Sequence, residues 1–273
     1  MKKTLTEWLR EVQHVVLDMD GTIYLDGVLF NSTKPFLKTL TELSIGHTFL
    51  TNNNSRSRAD YTRHLESLGL EVKPTSIFTS AHGTLEYMAT YFPEIQRVSV
   101  LGMSGLVEDF ELGGLIVTKE QPEAVIVGFD RHLTYDSLSR TAYWIEQGLP
   151  YLATHPDAVC PTRQPTVLPD CGAICALLEV ATGRRPDAVP GKPSREMLAG
   201  VMQQHQLKAE QLAMVGDRIY TDIKMALMAG SLSVLTLTGE ATADDAAQSM
   251  IHPDLVVEDL EELAHLLVTA KAL

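Results

Sequence analysis

Val15-Val16-Leu17-Asp18-Met19-Asp20-Gly21-Thr22 decides how this chain is read. Branched apolar residues end abruptly in two carboxylates and a glycine. The run has the composition of a parallel strand buried on both faces, where apolar residues follow one another instead of alternating. In an open α/β sheet, chemistry gathers at the C-terminal ends of such strands. Asp18 and Asp20 cannot both be core residues, because burying an unpaired carboxylate is too costly. The spacing places them where strand gives way to loop, with a bound cation as the means of holding them. A plain turn is the alternative, since Asp and Gly both favour turns.

Outward from this stretch, strands and helices alternate. Residues 4–11 read as a short helix leading into a strand at 12–17. Ile23 to Phe30 sets apolar residues on both sides of Asp26-Gly27, a strong hairpin signal, so a small flap follows the acidic loop. Pro35 opens a helix that Gly46 ends, with Phe36, Leu37, Leu40 and Leu43 on one face. The strand His47–Leu50 runs into the polar cluster Thr51-Asn52-Asn53-Asn54-Ser55, followed by a helix to Leu68 and a strand at 77–79. Beyond residue 80 come strands at 97–101, 124–128 and 151–154, and helices at 81–91, 104–111, 134–147 and 173–181. The proline-rich stretch 155–170 reads as loop. After Gly191-Lys192-Pro193-Ser194 come a helix to His205, a strand at 211–215 and the turn Gly216–Asp222 with a helix to Gly230. Strands at 232–237 and 255–257 and a helix at 258–271 follow. This alternation predicts an α/β fold with a doubly wound parallel sheet. Residues 1–79 and 182–273 are expected to form the core, with a second α/β unit, 80–181, inserted into it.

A length of 273 residues suits one large domain or two moderate ones. The net charge of −13, with no basic block, argues against nucleic acid or an anionic membrane surface as partner. An anionic substrate would need a local cationic pocket or a metal. Met1 to Trp8 lacks the apolar run of a secretory signal, and no stretch approaches the length of a membrane span. The three cysteines, Cys160, Cys171 and Cys175, are an odd number in such a chain and read as reduced thiols in the cytoplasm. Cys171 and Cys175 share a helical face, but no further ligand completes a zinc site, so they read as small apolar core residues.

Three strands of the first unit end in polar loops carrying Asp18 and Asp20, Thr51 and Asn52, and Asp217 and Asp222, and a further loop supplies Lys192. A parallel sheet puts all these loops on one edge. Four carboxylates there favour a hard cation, Mg²⁺ above all, and too few His or Cys accompany them for zinc. A carboxylate attacking a phosphate meets repulsion of roughly 4 kcal/mol per charge pair at ~4 Å and an effective dielectric of ~20. A divalent cation and Lys192 cancel such terms, which is what phosphoryl transfer requires. Asp18 suits attack on phosphorus, and Asp20 suits protonating the leaving oxygen and then deprotonating water.

Taken together, Asp18-Met19-Asp20-Gly21-Thr22, Thr51 after its strand, Lys192 in Gly-Lys-Pro-Ser and Gly216-Asp217-Arg218-Ile219-Tyr220-Thr221-Asp222 resemble the four ordered motifs of the haloacid dehalogenase superfamily. Asp-Gly-Thr-Ile-Tyr, the Thr-Asn-Asn cluster, Gly-Lys-Pro and Gly-Asp-Arg-x-x-Thr-Asp resemble its NagD-like phosphatases in particular. The resemblance covers essentially the whole chain and implies a Rossmann-like core with a large α/β cap inserted between the second and third motifs. It implies that Asp18 is nucleophile and metal ligand. Asp20 would be general acid/base and offer its backbone carbonyl to Mg²⁺. Asp217 would be a metal ligand, with Asp222 acting through a metal-bound water, and Thr51, Asn52 and Lys192 would hold the phosphoryl group. His155 and Asp157 lie where the resembling phosphatases place substrate-selecting residues. A homodimer through the cap rests on the resemblance alone. The third Asn of Thr51–Ser55 departs from the commoner Thr-Asn-Asn-Ser and Thr-Asn-Asn-Pro forms, leaving Asn53 and Asn54 without a role.

The expected activity is Mg²⁺-dependent hydrolysis of a small phosphomonoester, such as a sugar phosphate, a nucleoside monophosphate or phosphoglycolate. A phosphotransferase is a rival. A dehalogenase is disfavoured by Asp20, because it has no leaving alcohol to protonate. A catalytically idle metabolite-binding protein on the same scaffold is the rival outside enzymes.

Overall fold

A computed structural model describes residues 3–160 and 166–273. In chain order the elements are α1 (Leu5–Glu11), β1 (His14–Asp18), β2 (Tyr24–Leu25), β3 (Val28–Leu29), α2 (Thr33–Glu42), β4 (Gly46–Thr51), α3 (Arg58–Ser67) and β5 (Ile77–Thr79). Next come α4 (Ser80–Tyr91), β6 (Arg97–Leu101), α5 (Ser104–Leu112), β7 (Ile116–Val117), β8 (Ala124–Val127), α6 (Tyr135–Glu146), β9 (Tyr151–Ala153), β10 (Val159–Cys160), β11 (Leu168–Pro169) and α7 (Cys171–Thr182). The chain closes with α8 (Glu196–His205), β12 (Leu212–Gly216), α9 (Lys224–Ala229), β13 (Leu232–Thr236), α10 (Ala243–Gln248), β14 (Leu255–Val257) and α11 (Leu260–Ala272).

The residues separate into two compact units, one of 1–50, 64–77 and 198–273, the other of 51–63 and 78–197. The sequence reading gave 51–63 and 182–197 to the core. Their hydrogen bonds run otherwise: Asn54 Nδ2 donates to Thr154 Oγ1 at 2.7 Å, the Arg58 N–H to Asp109 Oδ1 at 3.1 Å, and the Tyr151 N–H to Asp187 Oδ2 at 2.8 Å.

In the first unit a six-stranded sheet has the order β14-β13-β12-β1-β4-β5. β1 pairs in parallel with both β4 and β12, and β12, β13 and β14 continue in parallel. Val15, Val16 and Leu17 are wholly buried, as a continuous apolar run in a central parallel strand must be. The chain winds outward from β1 through β4 and β5, then returns to β12 and winds the other way. The strand order therefore reverses between β1 and β12, the switch point at which such sheets place their ligands. The hairpin of β2 and β3 forms as expected, with Asp26 and Gly27 both at positive φ as a two-residue turn requires.

The second unit holds a four-stranded parallel sheet of order β7-β6-β8-β9. Its strands alternate between two cores. Val125 and Val127 pack with Ile145 and the α7 residues Cys171, Ile174, Cys175 and Leu178, while Ala124 and Ile126 pack with Ala81, Met88, Leu106 and Phe110. All three cysteines are buried, and Cys171 and Cys175 sit in an apolar core, in keeping with their reading as small apolar residues.

Several local expectations need correction. The stretch 155–170 is not all loop, because β10 and β11 pair antiparallel within it, Cys160 opposite Leu168. Residues 161–165 of that loop reading lie outside the described residues. The expected turn Gly216–Asp222 overlaps a wide π turn, Ile219–Ile223, that leads into α9. The short β7 and α10 were not anticipated, though Thr242 and Asp245 form the capping box that starts α10. Among the described residues no helix is long and apolar enough to cross a membrane.

Candidate active site

The acidic edge of the first unit is built by strand register. Asp18 closes β1, and the register sets Leu17 beside Val215 and Asp18 beside Leu50. Asp217 follows the last residue of β12, so the two carboxylates leave neighbouring strands at the switch point. Asp222 is brought back by the π turn. Its N–H donates to the Arg218 carbonyl at 3.0 Å, and its Oδ2 accepts from the Arg218 N–H at 3.2 Å. Ligand oxygens of Asp18, Asp217 and Asp222 all lie within 4.8 Å of one another, and all three residues are buried.

At such a separation and an effective dielectric of ~20, each pair of like charges repels by roughly 3–4 kcal/mol. Three buried carboxylates converging in this way fit a divalent cation. The all-oxygen donor set favours a hard ion such as Mg²⁺ or Ca²⁺ over zinc. Among the described residues this is the one such group of three or more His, Cys, Asp or Glu side chains, and Cys171 and Cys175 belong to none.

Asp20 stands outside this group and is exposed, with Tyr24 Oη donating to its Oδ2 at 3.3 Å. Gly21 between the loops has φ +90°, and a Cβ there would collide with Asp217 Oδ2. Arg218 Nε lies 3.0 Å from Glu240 Oε2. Burial works against the guanidinium charge, but the nearby Asp18 and Asp217 outweigh it and hold the group above its usual range.

A second set of polar side chains forms within the other unit. Asn52 Oδ1 accepts from the Lys192 N–H at 2.7 Å, while its Nδ2 donates to the Lys192 carbonyl and to Asp157 Oδ2, each at 3.0 Å. The amide therefore grips the Lys192 backbone from both sides. Thr51, which follows the register partner of Asp18, accepts from the Asn53 N–H through Oγ1 at 3.1 Å. Asn53 Oδ1 in turn accepts from the Ser55 N–H at 2.9 Å. Neither Thr51, Asn54 nor Ser55 caps α3, because Ser57 and Asp60 exchange the capping hydrogen bonds there.

His155 is wholly buried, its Nδ1 2.9 Å from Thr154 Oγ1 and its Nε2 2.9 Å from Asp170 Oδ1. Burial works against its cation, but the Cys171 sulfur, Asp170 and Asp157 outweigh it and raise its pKa to about 9. Burial pushes the Cys171 thiol's own pKa well above its usual value. Asp170 also caps α7, accepting from the Cys171 N–H at 2.6 Å.

Two family models match the chain, one described as haloacid dehalogenase-like hydrolase over residues 15–116 and one as HAD-hydrolase-like over 189–263. A solved 4-nitrophenylphosphatase from Thermotoga maritima is 39% identical, with a TM-score of 0.90, over 94% of this chain and 98% of that one. The chain belongs to the haloacid dehalogenase-like hydrolases. Within them it is NagD-like. The ribonucleotide monophosphatase NagD of Escherichia coli K12 is 29% identical over 252 residues, 92% of this chain and 98% of that protein. A glycerol phosphate phosphatase from Mycobacterium tuberculosis, solved in complex with calcium, is 28% identical with a TM-score of 0.85, over 94% of this chain and 76% of that one.

The candidate residues of this haloacid dehalogenase-like hydrolase differ in where they stand. Asp18, Asp217 and Asp222 come together. Asn52 was expected on phosphate, but its side-chain amide is occupied by Lys192 and Asp157. His155 was expected to select substrate. At 0% exposure, with both ring nitrogens engaged, it is a structural residue instead. Asp157 is part-exposed and serves Asn52. Asn54, left without a role by its sequence, is wholly buried and donates to Ser80 Oγ and Thr154 Oγ1. Arg218, left out of the site as a partner for a nearby carboxylate, does meet Glu240, and the segment after β13 was missed. A Gly beside Thr and Glu in a loop carries no signal that sequence alone can separate from a turn.

Proposed function

We propose that this chain is a Mg²⁺-dependent phosphatase that hydrolyses a small phosphomonoester through an aspartyl-phosphate on Asp18. The observation that carries this reading is the convergence of Asp18, Asp217 and Asp222 within 4.8 Å at the switch point of the sheet. Those three carboxylates would hold the ion, with the Asp20 main-chain carbonyl as a further oxygen. Bound there, Mg²⁺ supplies charge neutralisation that lets one anion approach another.

In the proposed reaction an Asp18 oxygen attacks phosphorus as the bond to the ester oxygen breaks. Asp20 gives its proton to the leaving alkoxide, and its exposure leaves it able to reach one. Asp20, now a carboxylate, takes a proton from water as that water attacks the aspartyl-phosphate, releasing inorganic phosphate and free Asp18. Thr51 and Lys192 are assigned to the phosphoryl oxygens, Asn52 to holding Lys192, and residues 80–181 to a substrate-selecting cap. Sugar phosphates, nucleoside monophosphates and phosphoglycolate are the candidate substrates. The names of the Escherichia coli and Mycobacterium tuberculosis relatives are in keeping with that class. The net charge of −13 supports a small-molecule partner over nucleic acid, and the odd number of cysteines supports a cytoplasmic setting. A homodimer completes the proposal, to be checked by light scattering.

The test is inorganic phosphate release from a panel of phosphomonoesters, with Mg²⁺, with chelator, and with Asp18→Asn. Release that needs both Mg²⁺ and Asp18 is the expected outcome, and the rank order of esters names the substrate. Binding of an ester by the Mg²⁺-loaded protein without phosphate release would overturn the hydrolase in favour of a phosphotransferase or a binding protein.

A further inference from the structure

The loop after β13 touches both acidic loops of the first unit. Thr238 Oγ1 donates to the Gly21 carbonyl at 2.6 Å and lies 3.1 Å from Thr236 Oγ1, whose residue is wholly buried. With its own proton committed to Gly21, Thr238 is the acceptor of the Thr236 hydroxyl. Two residues on, the Glu240 N–H donates to Asp217 Oδ2 at 2.8 Å, and the Ala241 N–H donates to the Asp217 carbonyl at 3.1 Å. The Glu240 side chain meets Arg218 Nε at 3.0 Å. Between Thr238 and Glu240, Gly239 lies so near Asp217 that a Cβ would collide with Oδ2. The base of the loop is anchored by the Leu237 N–H on the Val257 carbonyl at 3.0 Å.

We infer that Thr238-Gly239-Glu240 is a positioning clasp that sets the spacing between the Asp18–Gly21 loop and Asp217. Gly21 is held at both ends, its N–H on the Tyr24 carbonyl at 2.8 Å and its carbonyl on Thr238. In a trans peptide the Asp20 carbonyl points opposite to the Gly21 N–H, so it is turned away from Tyr24 and fixed in direction. The Thr238 bond thus locks the backbone that aims Asp20, and the Glu240 bond locks the carboxylate of Asp217. One short loop ties the two together. Such supports matter because a carboxylate left to rotate loses much of its value as a ligand.

This inference rests on the phosphatase reading for its kinetic arm and on the metal site alone for its binding arm. Thr238→Val removes the donor at constant shape. It is expected to lower kcat by about 10- to 100-fold, with KM for 4-nitrophenyl phosphate little changed. Thr238→Ser, which keeps the hydroxyl, is expected to restore most of the rate. In Gly239→Ala the new Cβ collides with Asp217 from Oδ2 back to its Cβ, so the loop and the carboxylate must shift apart. The Mg²⁺ concentration giving half of the Mg²⁺-induced rise in Tm, read against the variant's own Tm in chelator, is expected to increase about 10-fold. Wild-type kcat in Thr238→Val, equal damage in Thr238→Ser and Thr238→Val, or an unchanged Mg²⁺ response in Gly239→Ala would each overturn the clasp. Were the wild type to release no phosphate from any ester, the hydrolase reading would fail while the Mg²⁺ titration of Gly239→Ala still decided the clasp.

Discussion

The acidic edge of the first unit and the polar cluster of the second solve opposite problems. At the edge, like charges are forced together, and Asp18, Asp217 and Asp222 are held by strand ends, a π turn and close glycine contacts. In the second unit a charged pair and a neutral amide each find specific partners. His155 faces Asp170, and the Asn52 amide meets both polar groups of the Lys192 backbone. The first region stores electrostatic repulsion for a ligand to relieve. The second spends its polar groups on holding a shape, and its buried histidine is structural for that reason.

Variants that exchange these two characters test the contrast. Asp18→Asn is expected to have the largest effect, a fall in kcat of roughly 10⁴-fold, measured as phosphate release. Its Tm in chelator should not fall, because one repelling charge has been removed. A less stable Asp18→Asn protein would show that the edge is not under repulsion.

Asp170→Ala should do the reverse. It leaves His155 buried without its carboxylate and also removes the cap of α7, and a cost of about 3–5 kcal/mol in chemical denaturation is expected. The pair also sets a pH dependence. His155 is raised to about 9 in the fold, so its contribution is complete below the unfolded value near ~6.5 and is lost as pH rises through about 9. Wild-type stability should therefore decline between pH 7 and pH 9.5, and His155→Gln should flatten that decline. An equal slope in both proteins would remove the ion pair from the account.

Asn52→Ala frees the Lys192 backbone. The expected result is a rise in KM of about tenfold, the worth of one or two hydrogen bonds, with a smaller change in kcat. A selective loss of kcat would move Asn52 from support to chemistry.

The smallest effect concerns His14, whose pKa burial and the neighbouring His205 and His47 push down to about 3. Its ring stacks on His205 at 4.2 Å, and its Nε2 lies 2.8 Å from Thr48 Oγ1. A lowered value stabilises the fold above ~6.5 and withdraws that stability as pH falls, by up to about 1.4 kcal/mol per pH unit. Acid unfolding of His14→Gln should be correspondingly shallower than that of wild type.

The contrast also explains what could be read in advance. Asp18 and Asp20 stand two apart at the end of an apolar run, and Asp217 and Asp222 share one turn, so local spacing reveals them. Burial on both faces made β1, β8 and β12 legible as strands for the same reason. Partners far apart in the chain leave no such mark. Asn52 meets Lys192 across 140 positions and Thr238 meets Gly21 across 217. His155 in a proline-rich stretch looked like a substrate contact because nothing nearby in sequence announced Asp170 as its counter-ion.

The compact units do not follow the ends of the inserted segment, because residues 51–63 and 182–197 travel with it. Thr51 and Lys192, assigned to the phosphoryl group, are therefore on the insertion's side of the molecule's division. Asn54 leans on Thr154, the backbone of Arg58 on Asp109, and Asn52 on Asp157. A chimera that exchanged only residues 80–181 for a foreign cap would inherit none of those three partners. Modular recombination in this architecture thus has to carry residues 51–63 and 182–197 as luggage, because their partners lie in the exchanged segment.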